Sequence, residues 1–545
     1  MAPNHFILNV EQEHPDCLRD ESRLTGRAEA LAFPENESDI LSCLLEANRQ
    51  GQTVTIQGAR TGIAGGAVPQ GGLALNLSRM NRVLGLRRRD DAFFLRVQPG
   101  LLLSDLRRQM LDLSFDNPVW SESDRAAWQA LQQAGPHFFP PDPTEPGATL
   151  GGMVATNASG ARSFFYGPTR RYIQSMRVAL ADGSVLGLAR GAPRAVGRAF
   201  TLVAESGRTL AGELPRLPAP CVKNAAGYFI RESMDLMDLF IGAEGTLGVV
   251  AELELILRPA PPVCWGLLCF VPDEARAVDL ARRVRARQGG ERRPDATEPA
   301  RRQPAQLVAM EFFDCGALDL LRRQQRTGAP LADGIPALPA AWQSALYLEY
   351  HGDREPGVET LALEAAALLE ACGGDPESVW MATEACELER LKHFRHAVPE
   401  AVNLAIDARR QTDPDITKLG TDLAVPDAAL QRTLELYSAG LRNAKLDHVK
   451  FGHLGDNHIH VNILPRNAAQ YETGKRLVLE WARAVTAMNG TVSAEHGIGK
   501  LKTALLAEMV GPQGVERMRR LKQVFDPGGR LNPGTLMPPG PANAG

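Results

Sequence analysis

Several features that would place this chain in a common functional class are missing or scarce. No stretch approaches the roughly 18 consecutive apolar residues of a membrane-spanning helix. Aromatic residues make up only 6% of the chain and the net charge is -4, so neither base stacking nor phosphate attraction favours nucleic acid as a partner. The eight cysteines include no Cys-x-x-Cys pair, which argues against an iron–sulfur cluster or a cysteine zinc site.

The cysteines and the N-terminus both bear on the compartment. The cysteines are scattered along the chain, as is typical of reduced, packed thiols. Residues 1–16 lack a basic segment followed by a long apolar core, so they predict no secretory signal. We therefore expect a cytoplasmic protein, which a partner could hold at a membrane surface.

The chain is too long for one core, and its pattern predicts an α+β protein. The first part alternates short apolar strands with glycine-rich turns, and a proline cluster at 259–262 marks a domain boundary. Beyond it, strand-like and helical runs alternate, which indicates a largely antiparallel sheet. We interpret residues 191–220, rich in proline and arginine, as an irregular excursion. The charge-rich run at 282–303 is typical of a solvated loop.

A strand predicted at 53–57 runs into a loop with four glycines between residues 58 and 66. Glycine lets the backbone approach a ligand closely and turn its N–H groups toward an anion. The spacing is not that of a dinucleotide-binding G-x-G-x-x-G turn, and Pro69 keeps the loop from opening a helix. Two more glycine-rich stretches, at 140–167 and 241–250, favour a long, flat ligand lying against the backbone. The alternative is a set of tight turns.

The stretch "KFGHLGDNHIH" (450–460) predicts two short strands joined by a four-residue turn. Alternation places His458, His460 and Asn462 on the face opposite the apolar residues. A tight turn would set His453 opposite His458 and diagonal to His460, with the diagonal Cβ atoms roughly 7 Å apart.

This spacing lets two imidazoles share a metal ion, and the alternative is an exposed strand face that happens to carry histidines. Four of the chain's 11 histidines lie between 448 and 460, so we favour metal binding or catalysis. Geometry alone does not choose between His458 and His460.

Several motifs together resemble the FAD domain of the vanillyl-alcohol oxidase/p-cresol methylhydroxylase flavoproteins. They are the loop at 58–66, "ATLGGMVATNASGARSFFYG" (148–167), "VKNAAGYFI" (222–230) and "FIGAEGTLGVV" (240–250). More narrowly, the chain resembles the FAD-dependent D-2-hydroxyacid dehydrogenases: D-lactate dehydrogenases, D-2-hydroxyglutarate dehydrogenases and the glycolate oxidase flavin subunit. The resemblance extends over roughly residues 20 to 537, with the motifs in the same order.

The resemblance implies a fold as well as a cofactor. It implies a two-subdomain FAD-binding domain at 20–259, followed by an α+β substrate and metal domain with a mostly antiparallel sheet at 260–510. A segment at 511–537 would pack back on the FAD domain, and residues 538–545 would form a tail. The FAD is expected to be non-covalent, because the loop at 58–66 offers neither histidine nor cysteine for attachment. The residues implied to line it are Gly58, Ala59, Arg60, Thr61, Gly62, Gly65, Gly66, Pro141, Thr149, Gly151, Gly152, Asn157, Ser159, Gly160, Tyr166, Glu244, Gly245, Gly248, Val249 and Asn532.

The family pattern "GHLGDGNLHLN" also resembles the histidine hairpin. It matches His453 and His460 as metal ligands, while His458 stands where the family commonly has asparagine. The same resemblance implies Glu495, in "SAEHGIGK", as the third ligand and His496 as the general base.

Two glycines after the Glu-His pair, Gly497 and Gly499, allow a bend that would present both side chains. An ordinary helix start is the alternative for this pair. Two histidines and a carboxylate with open positions suit zinc, and manganese or iron(II) would also be accepted.

The resemblance implies that Arg395, Lys418 and Asn462 bind the substrate. A 2-hydroxyacid carries a carboxylate, for which a bidentate arginine is a natural partner. Pro399, where the family commonly has threonine, points to a small substrate. We therefore expect oxidation of D-lactate to pyruvate, with hydride transfer to flavin N5.

The electrons would pass to a separate acceptor: a flavoprotein, an iron–sulfur protein, a cytochrome or a quinone. Several alternatives stay open at this point. They are a D-2-hydroxyglutarate or glycolate dehydrogenase or oxidase, the flavin subunit of a larger complex, and a flavin- or metal-binding protein without turnover. A homodimer is compatible with each of them.

Overall fold

This computed structural model of the chain describes residues 6–115, 120–288 and 304–538. Residues 289–303 of the expected solvated loop and 539–545 of the expected tail lie outside these ranges. The loop prediction is wrong for residues 282–288, because they form the end of a helix, Glu274–Gln288. Within the described ranges, no helix is both long enough and apolar enough to cross a bilayer. All eight cysteines lie within them, and none forms a disulfide.

The N-terminal half is built from short strands, as expected from short apolar runs separated by glycines. Its strands are β1 (Ala30–Ala32), β2 (Val54–Gln57), β3 (Leu73–Asn76), β4 (Val83–Arg89), β5 (Ala92–Val97), β6 (His137–Phe138), β7 (Ile173–Ala179), β8 (Val185–Ala189), β9 (Ala199–Val203), β10 (Thr209–Glu213), β11 (Val249–Ile256) and β12 (Arg258–Pro259). Its helices are α1 (Val10–Glu13), α2 (Glu37–Arg49), α3 (Leu103–Asp112), α4 (Glu122–Ala134), α5 (Leu150–Thr156) and α6 (Ser163–Tyr166).

The C-terminal half has longer strands and helices. Its strands are β13 (Val263–Val271), β14 (Gln306–Phe313), β15 (Ser344–Gly352), β16 (Trp380–Ala382), β17 (Leu419–Gly420), β18 (His448–His453) and β19 (His458–Ile463). Its helices are α7 (Glu274–Gln288), α8 (Cys315–Thr327), α9 (Glu355–Ala371), α10 (Ala385–Arg410), α11 (Leu430–Ala444), α12 (Ala468–Ala487) and α13 (Thr503–Phe525). Short 3-10 turns add Pro15–Leu18, Leu77–Arg79, Thr169–Tyr172, Leu236–Leu239, Pro330–Ala332, Pro376–Ser378, Asp427–Ala429 and Leu454–Asp456.

Two sheets organise the N-terminal half. β1, β3 and β2 form a small parallel sheet in that order, and β4, β5, β11, β7 and β8 form a five-stranded antiparallel sheet. The loop at 58–66 leaves the end of β2, where the sequence placed it. The C-terminal segment returns to the small sheet, because Leu531 forms a parallel bridge with Val54.

A seven-stranded sheet dominates the C-terminal half, in the order β16, β13, β15, β14, β18, β19, β17. Neighbouring strands in it are antiparallel, so the predicted α+β class and antiparallel sheet are confirmed. Both faces are covered: along β13, Leu267 and Cys269 join one apolar core, while Leu268 and Phe270 join another. Residues of α7 and α9 belong to the first core and residues of α8 and α10 to the second.

The prediction of an irregular excursion at 191–220 is wrong. β9 and β10 form an antiparallel hairpin within it, with Ala199 paired to Glu213 and Val203 to Thr209. Buried and exposed residues alternate along β9, and Phe200 and Leu202 face the core. The proline and arginine content of the flanks hid this period-2 pattern.

Candidate active site: a buried histidine and carboxylate cluster beside the glycine-rich loops

The histidine hairpin is present in the predicted register. β18 and β19 pair antiparallel with His453 directly opposite His458. The ring centroids of His458 and His460 are 4.3 Å apart, and those of His453 and His460 are 5.6 Å apart. His458 is completely buried and His453 is 5% exposed. The alternative of a solvent-exposed histidine face is therefore wrong.

Glu495 reaches these imidazoles from the loop that follows α12. Its Oε2 lies 2.8 Å from His453 Nε2 and 3.7 Å from His458 Nδ1. One potential ligand atom from each of His453, His458, His460 and Glu495 lies within 4.8 Å of the others. Because bonds from zinc to nitrogen or oxygen are about 2.1 Å, two ligands lie roughly 4.2 Å apart on opposite sides of one ion and roughly 3.4 Å apart in a tetrahedron. The longer separations in this set would therefore have to shorten for it to hold a divalent cation.

Outer partners orient two of the imidazoles. His453 Nδ1 is 2.6 Å from Glu311 Oε1, and His460 Nδ1 lies 2.9 Å from the backbone oxygen of Thr421. Burial opposes a charge on His453, but the Glu311 and Glu495 carboxylates outweigh it and raise the pKa of this imidazole to about 9. Such outer acceptors leave the opposite nitrogen of each ring facing the cluster, as in carboxylate–histidine–metal arrangements.

Asp422, which the sequence analysis did not single out, organises the far side of the cluster. Its Oδ1 accepts from the Glu495 N–H at 3.2 Å, and its Oδ2 accepts from the His496 N–H at 3.0 Å. Oδ2 also receives Ser493 Oγ at 2.6 Å and Lys502 Nζ at 2.7 Å. Although burial would raise the pKa of Asp422, Lys502 and His496 hold it well below its usual range. Asp422 is therefore a buried carboxylate anion that fixes the Glu-His pair.

His496 lies at the edge of the cluster on a bent backbone. Gly497 and Gly499 have φ angles of 71° and 53°, so the bend that the sequence predicted after the Glu-His pair is present. The His496 ring stacks on His460, with centroids 5.3 Å apart and planes at 29°. Its Nδ1 is 3.4 Å from Asp422 Oδ2, and its side chain is 31% exposed. His496 is thus held by a carboxylate and open to a ligand.

Glu244 connects this bent loop to the glycine-rich half. Its carboxylate accepts from the N–H groups of Ile498 and Gly499, both at 2.7 Å. Burial raises the pKa of Glu244 to about 7, against the effect of these two donors. A Cβ on Gly497 would lie 2.9 Å from Glu244 Oε1, so glycine is needed for this close approach. The structure therefore places a predicted cofactor residue against the loop that carries His496.

The loop at 58–66 has the character of an anion-binding turn. Its N–H groups donate to no acceptor in the described part of the chain. Arg60 and Gly65 have φ angles of 61° and 75°, so the backbone turns at both positions. Lys500 Nζ donates to the carbonyls of Gly65 and Gly66 at 3.3 and 3.1 Å. Free amides and a nearby ammonium fit the phosphates of a dinucleotide cofactor.

The other glycine-rich segments pack tightly around this loop. Thr149 caps α5 by accepting from the Gly152 N–H at 3.2 Å, and a Cβ on Gly58 would lie 2.2 Å from Thr149 Oγ1. A Cβ on Gly151 would lie 2.7 Å from the side chain of Pro99. Close packing within the protein therefore already requires glycine at positions 58 and 151, whether or not a ligand is bound. Further predicted cofactor residues on these segments are Ala59, Thr61, Gly62, Pro141, Asn157, Ser159, Gly160, Gly245, Gly248 and Val249.

Two residues predicted to line the cofactor use the polar atoms of their side chains in hydrogen bonds within the protein. Asn532 accepts from the Ile56 N–H at 2.7 Å and donates to the Glu244 carbonyl at 2.6 Å. Tyr166 is buried, and its hydroxyl lies 2.8 Å from His351 Nδ1. Both residues hold segments of the site together through these bonds.

Arg395 joins the cluster through Glu311. Arg395 Nη2 lies 3.9 Å from Glu311 Oε2, and the guanidinium lies over the Tyr347 ring at 5.1 Å. The Nε atom of Arg395 is buried without a hydrogen-bond partner in the described part of the chain. A buried donor of this kind favours an anionic ligand, because leaving it unpaired costs about 1–3 kcal/mol.

The other two predicted substrate residues lie close together at the sheet edge. Lys418 precedes β17, whose Gly420 pairs with Asn462 of β19. Asn462 is buried, and its Nδ2 has no hydrogen-bond partner among the described residues. Lys418 Nζ donates to Asn403 Oδ1 of α10 at 2.7 Å. The three predicted substrate residues thus lie on α10, before β17 and on β19.

Sequence reasoning missed several charged residues of the site, among them Asp422, Glu311 and Lys223. Asp422 and Glu311 orient histidines, and Lys223 Nζ lies 3.3 Å from both Glu495 Oε2 and the Gly160 carbonyl. Glu311 gave a signal, since it is the single charge in the apolar run "LVAMEFF". Lys223 lies in the motif "VKNAAGYFI", where the sequence gives no sign of a contact with Glu495.

Comparison with known proteins identifies FAD-related families, as the glycine-rich loops predict. Residues 28–116 and 124–189 match the family described as "FAD binding domain", and residues 294–536 match "FAD linked oxidases, C-terminal domain". A D-lactate dehydrogenase of Anaerostipes hadrus is 28% identical, over 98% of this chain and 95% of that one. A D-2-hydroxyglutarate dehydrogenase of Xanthomonas citri pv. viticola is 29% identical, over 94% and 90%. The solved structure of an alkyldihydroxyacetonephosphate synthase shares the fold, with a TM-score of 0.58 and 14% identity over 94% of this chain and 77% of that one.

Fold, glycine loops and family matches together define an FAD-linked oxidoreductase. The chain matches both domains of the FAD-linked oxidases, and over nearly its whole length it is similar to proteins named D-lactate dehydrogenase and D-2-hydroxyglutarate dehydrogenase.

Proposed function

We propose that this protein uses FAD and a divalent cation to oxidise a D-2-hydroxyacid, with D-lactate as the first candidate and pyruvate as its product. The observation that supports it best is the convergence of His453, His460 and Glu495 at a site bordered by His496. Glu244 ties the loop of His496 to the glycine-rich half. A base and a bound FAD are sufficient to oxidise a hydroxyl carbon, and a cation would stabilise the charge that develops on the hydroxyl oxygen.

The chain's own residues would bind and orient the acid. The Arg395 guanidinium, with its unpaired Nε, would pair with the substrate carboxylate. Asp422 Oδ2, 3.4 Å from His496 Nδ1, favours the tautomer with its proton on Nδ1. His496 Nε2 is then free to accept the hydroxyl proton as a general base.

The two bound groups would supply the remaining chemistry. Bound FAD supplies a hydride acceptor at N5, and the amides at 58–66 would hold its phosphates without a covalent bond. A bound cation, held by His453, His460 and Glu495, supplies charge stabilisation for an ionising hydroxyl. Zinc is the first candidate, with manganese or iron(II) as alternatives.

D-2-hydroxyglutarate is the second substrate candidate, because the relatives named for it and for D-lactate are similar to this chain to the same degree. Glycolate is the third. A separate electron acceptor completes the cycle: a flavoprotein, an iron–sulfur protein, a cytochrome or a quinone. We propose a cytoplasmic enzyme, held at a membrane only through such an acceptor, and a homodimer is compatible with it.

Anaerobic reduction of the bound flavin tests the proposal. D-lactate is expected to bleach the oxidised flavin, L-lactate serves as the matched control, and D-2-hydroxyglutarate and glycolate rank the alternatives. Bleaching should fail after thorough chelation and return when the cation is restored. Bleaching that survives metal removal would refute the role of the cation. A flavin that stays oxidised with every acid would refute the dehydrogenase itself.

A further inference from the structure

We propose that His458 is a fourth protein ligand of the cation, so that three imidazoles and one carboxylate hold the ion. The proposal rests on the cation-dependent function above and extends it. His458 stands where the resembling family commonly has asparagine, so the additional imidazole would distinguish this chain from that pattern.

The position of His458 fits a ligand better than a packing residue. The side chain is fully buried, and its Nδ1 lies 3.7 Å from Glu495 Oε2, on the side of the ring that faces the cluster. The Nδ1 atom makes no hydrogen bond among the described residues. Buried polar atoms are rarely left without a partner, because this costs about 1–3 kcal/mol. A cation between the imidazoles would supply the missing partner of Nδ1.

The outer side of the ring supports the same assignment. His458 Nε2 lies 3.0 Å from Asp422 Oδ1. His453 and His460 are arranged alike, with one nitrogen directed at an outer oxygen and the other left for the cluster. The acceptor is Glu311 for His453 and a backbone carbonyl for His460. Ligating histidines almost always have such an outer acceptor, which fixes the tautomer and the direction of the lone pair.

A competing arrangement would leave the site without an ion. Lys223 Nζ lies 3.3 Å from Glu495 Oε2 and could neutralise this carboxylate by itself. Lys223 also donates to Gly160, at 3.3 Å, so it approaches Glu495 from the glycine-rich half. The imidazoles of His458 and His460 would then serve as neutral packing groups. Direct observation of the ion decides between the two arrangements.

Four protein ligands also change which ion the site prefers. A tetrahedral zinc would be closed by this set, whereas a hydroxyacid needs two adjacent open positions. An ion that accepts six ligands, such as manganese or iron(II), keeps those positions. Replacing His458 by asparagine should therefore shift the preference of the site toward zinc.

X-ray absorption at the metal edge of the loaded flavoprotein counts imidazole ligands independently of activity. We expect three imidazoles in the unaltered protein and two in His458→Asn. His448→Asn is the matched control: it lies on β18, and its Nδ1 is 3.1 Å from the Leu446 carbonyl. Chelator competition should show at least about tenfold weaker binding for His458→Asn and an unchanged affinity for the control.

The outcomes separate this inference from the proposed function. Two imidazoles in the unaltered protein, or equal affinity in His458→Asn, would overturn the ligand role while leaving cation-dependent flavin reduction intact. If no ion binds stoichiometrically to the unaltered flavoprotein, both fail and Lys223 is the resident cation. If His458→Asn does not fold, the imidazole count in the unaltered protein decides alone.

Discussion

Replacing Asp422 by asparagine should both destabilise the protein and slow flavin reduction. The substitution keeps the shape of the side chain and removes one acceptor and the charge. In the structure, one oxygen faces the Glu495 N–H, and the other receives His496, Ser493 and Lys502. Whichever way the new amide turns, its NH2 group faces donors.

The size of both effects follows from the groups that lose their carboxylate partner in Asp422→Asn. Lys502, whose side chain is 14% exposed, would lose its carboxylate partner at 2.7 Å. Breaking a buried ion pair from one side costs about 3–5 kcal/mol. His496 would also lose the acceptor that sets its tautomer, and a displaced general base reduces the rate by about 10²–10⁴-fold. We therefore expect a loss of a few kcal/mol in unfolding free energy and at least about a hundredfold in flavin reduction rate.

Two measurements and one control test this expectation. Denaturant unfolding followed by flavin and tryptophan fluorescence gives the free energy, and anaerobic stopped flow with D-lactate gives the reduction rate. Asp415→Asn, at an exposed position seven residues earlier, should change neither. If Asp422→Asn unfolds like the unaltered protein and reduces its flavin at the same rate, Asp422 does not organise the site as described.

Three further variants have separate readouts. Arg395→Lys removes a bidentate fork, so KM for the hydroxyacid should rise about tenfold or more while FAD content stays constant; an unchanged KM would exclude Arg395 from substrate binding. Glu244→Gln places an amide NH2 group against the N–H of Ile498 or of Gly499, which disturbs the loop of His496. We therefore expect kcat to fall more than the FAD content does. A loss of FAD with unchanged kcat would show that Glu244 serves only the cofactor. Asp314 caps α8, and burial raises its pKa to about 7 from 3.8, so it destabilises the fold progressively as pH rises from about 4 to 7. Asp314→Asn keeps the cap and should gain at most about 4 kcal/mol of unfolding free energy at pH 8 and about 2 kcal/mol at pH 5, and an equal gain at both pH values would contradict the raised pKa.

The hairpin and the glycine-rich loops could be predicted from sequence because their signals are local. Alternation along β19 fixes which side chains share a face, so His458 and His460 were assigned together. The glycines of 58–66 predicted a turn that directs its N–H groups toward an anion, and none of these groups has an acceptor among the described residues.

The missed parts of the site depend on contacts between residues far apart in sequence. Asp422 lies 36 residues before His458, and no spacing rule links them. Glu311 reaches His453 across neighbouring strands β14 and β18, whose pairing depends on the whole sheet. The outer acceptors of a site are therefore the part that a single sequence hides best.

The bond between Glu244 and the loop of His496 has a consequence for assembly. One short loop carries a carboxylate of the cation site, the base and Lys500, which reaches the carbonyls of Gly65 and Gly66. Flavin at the glycine loop and a cation at the histidines would each restrain this same segment. Whichever is bound first removes part of the ordering free energy that the second must supply, so each should tighten the other by the same factor. The apoprotein should thus acquire its two groups cooperatively.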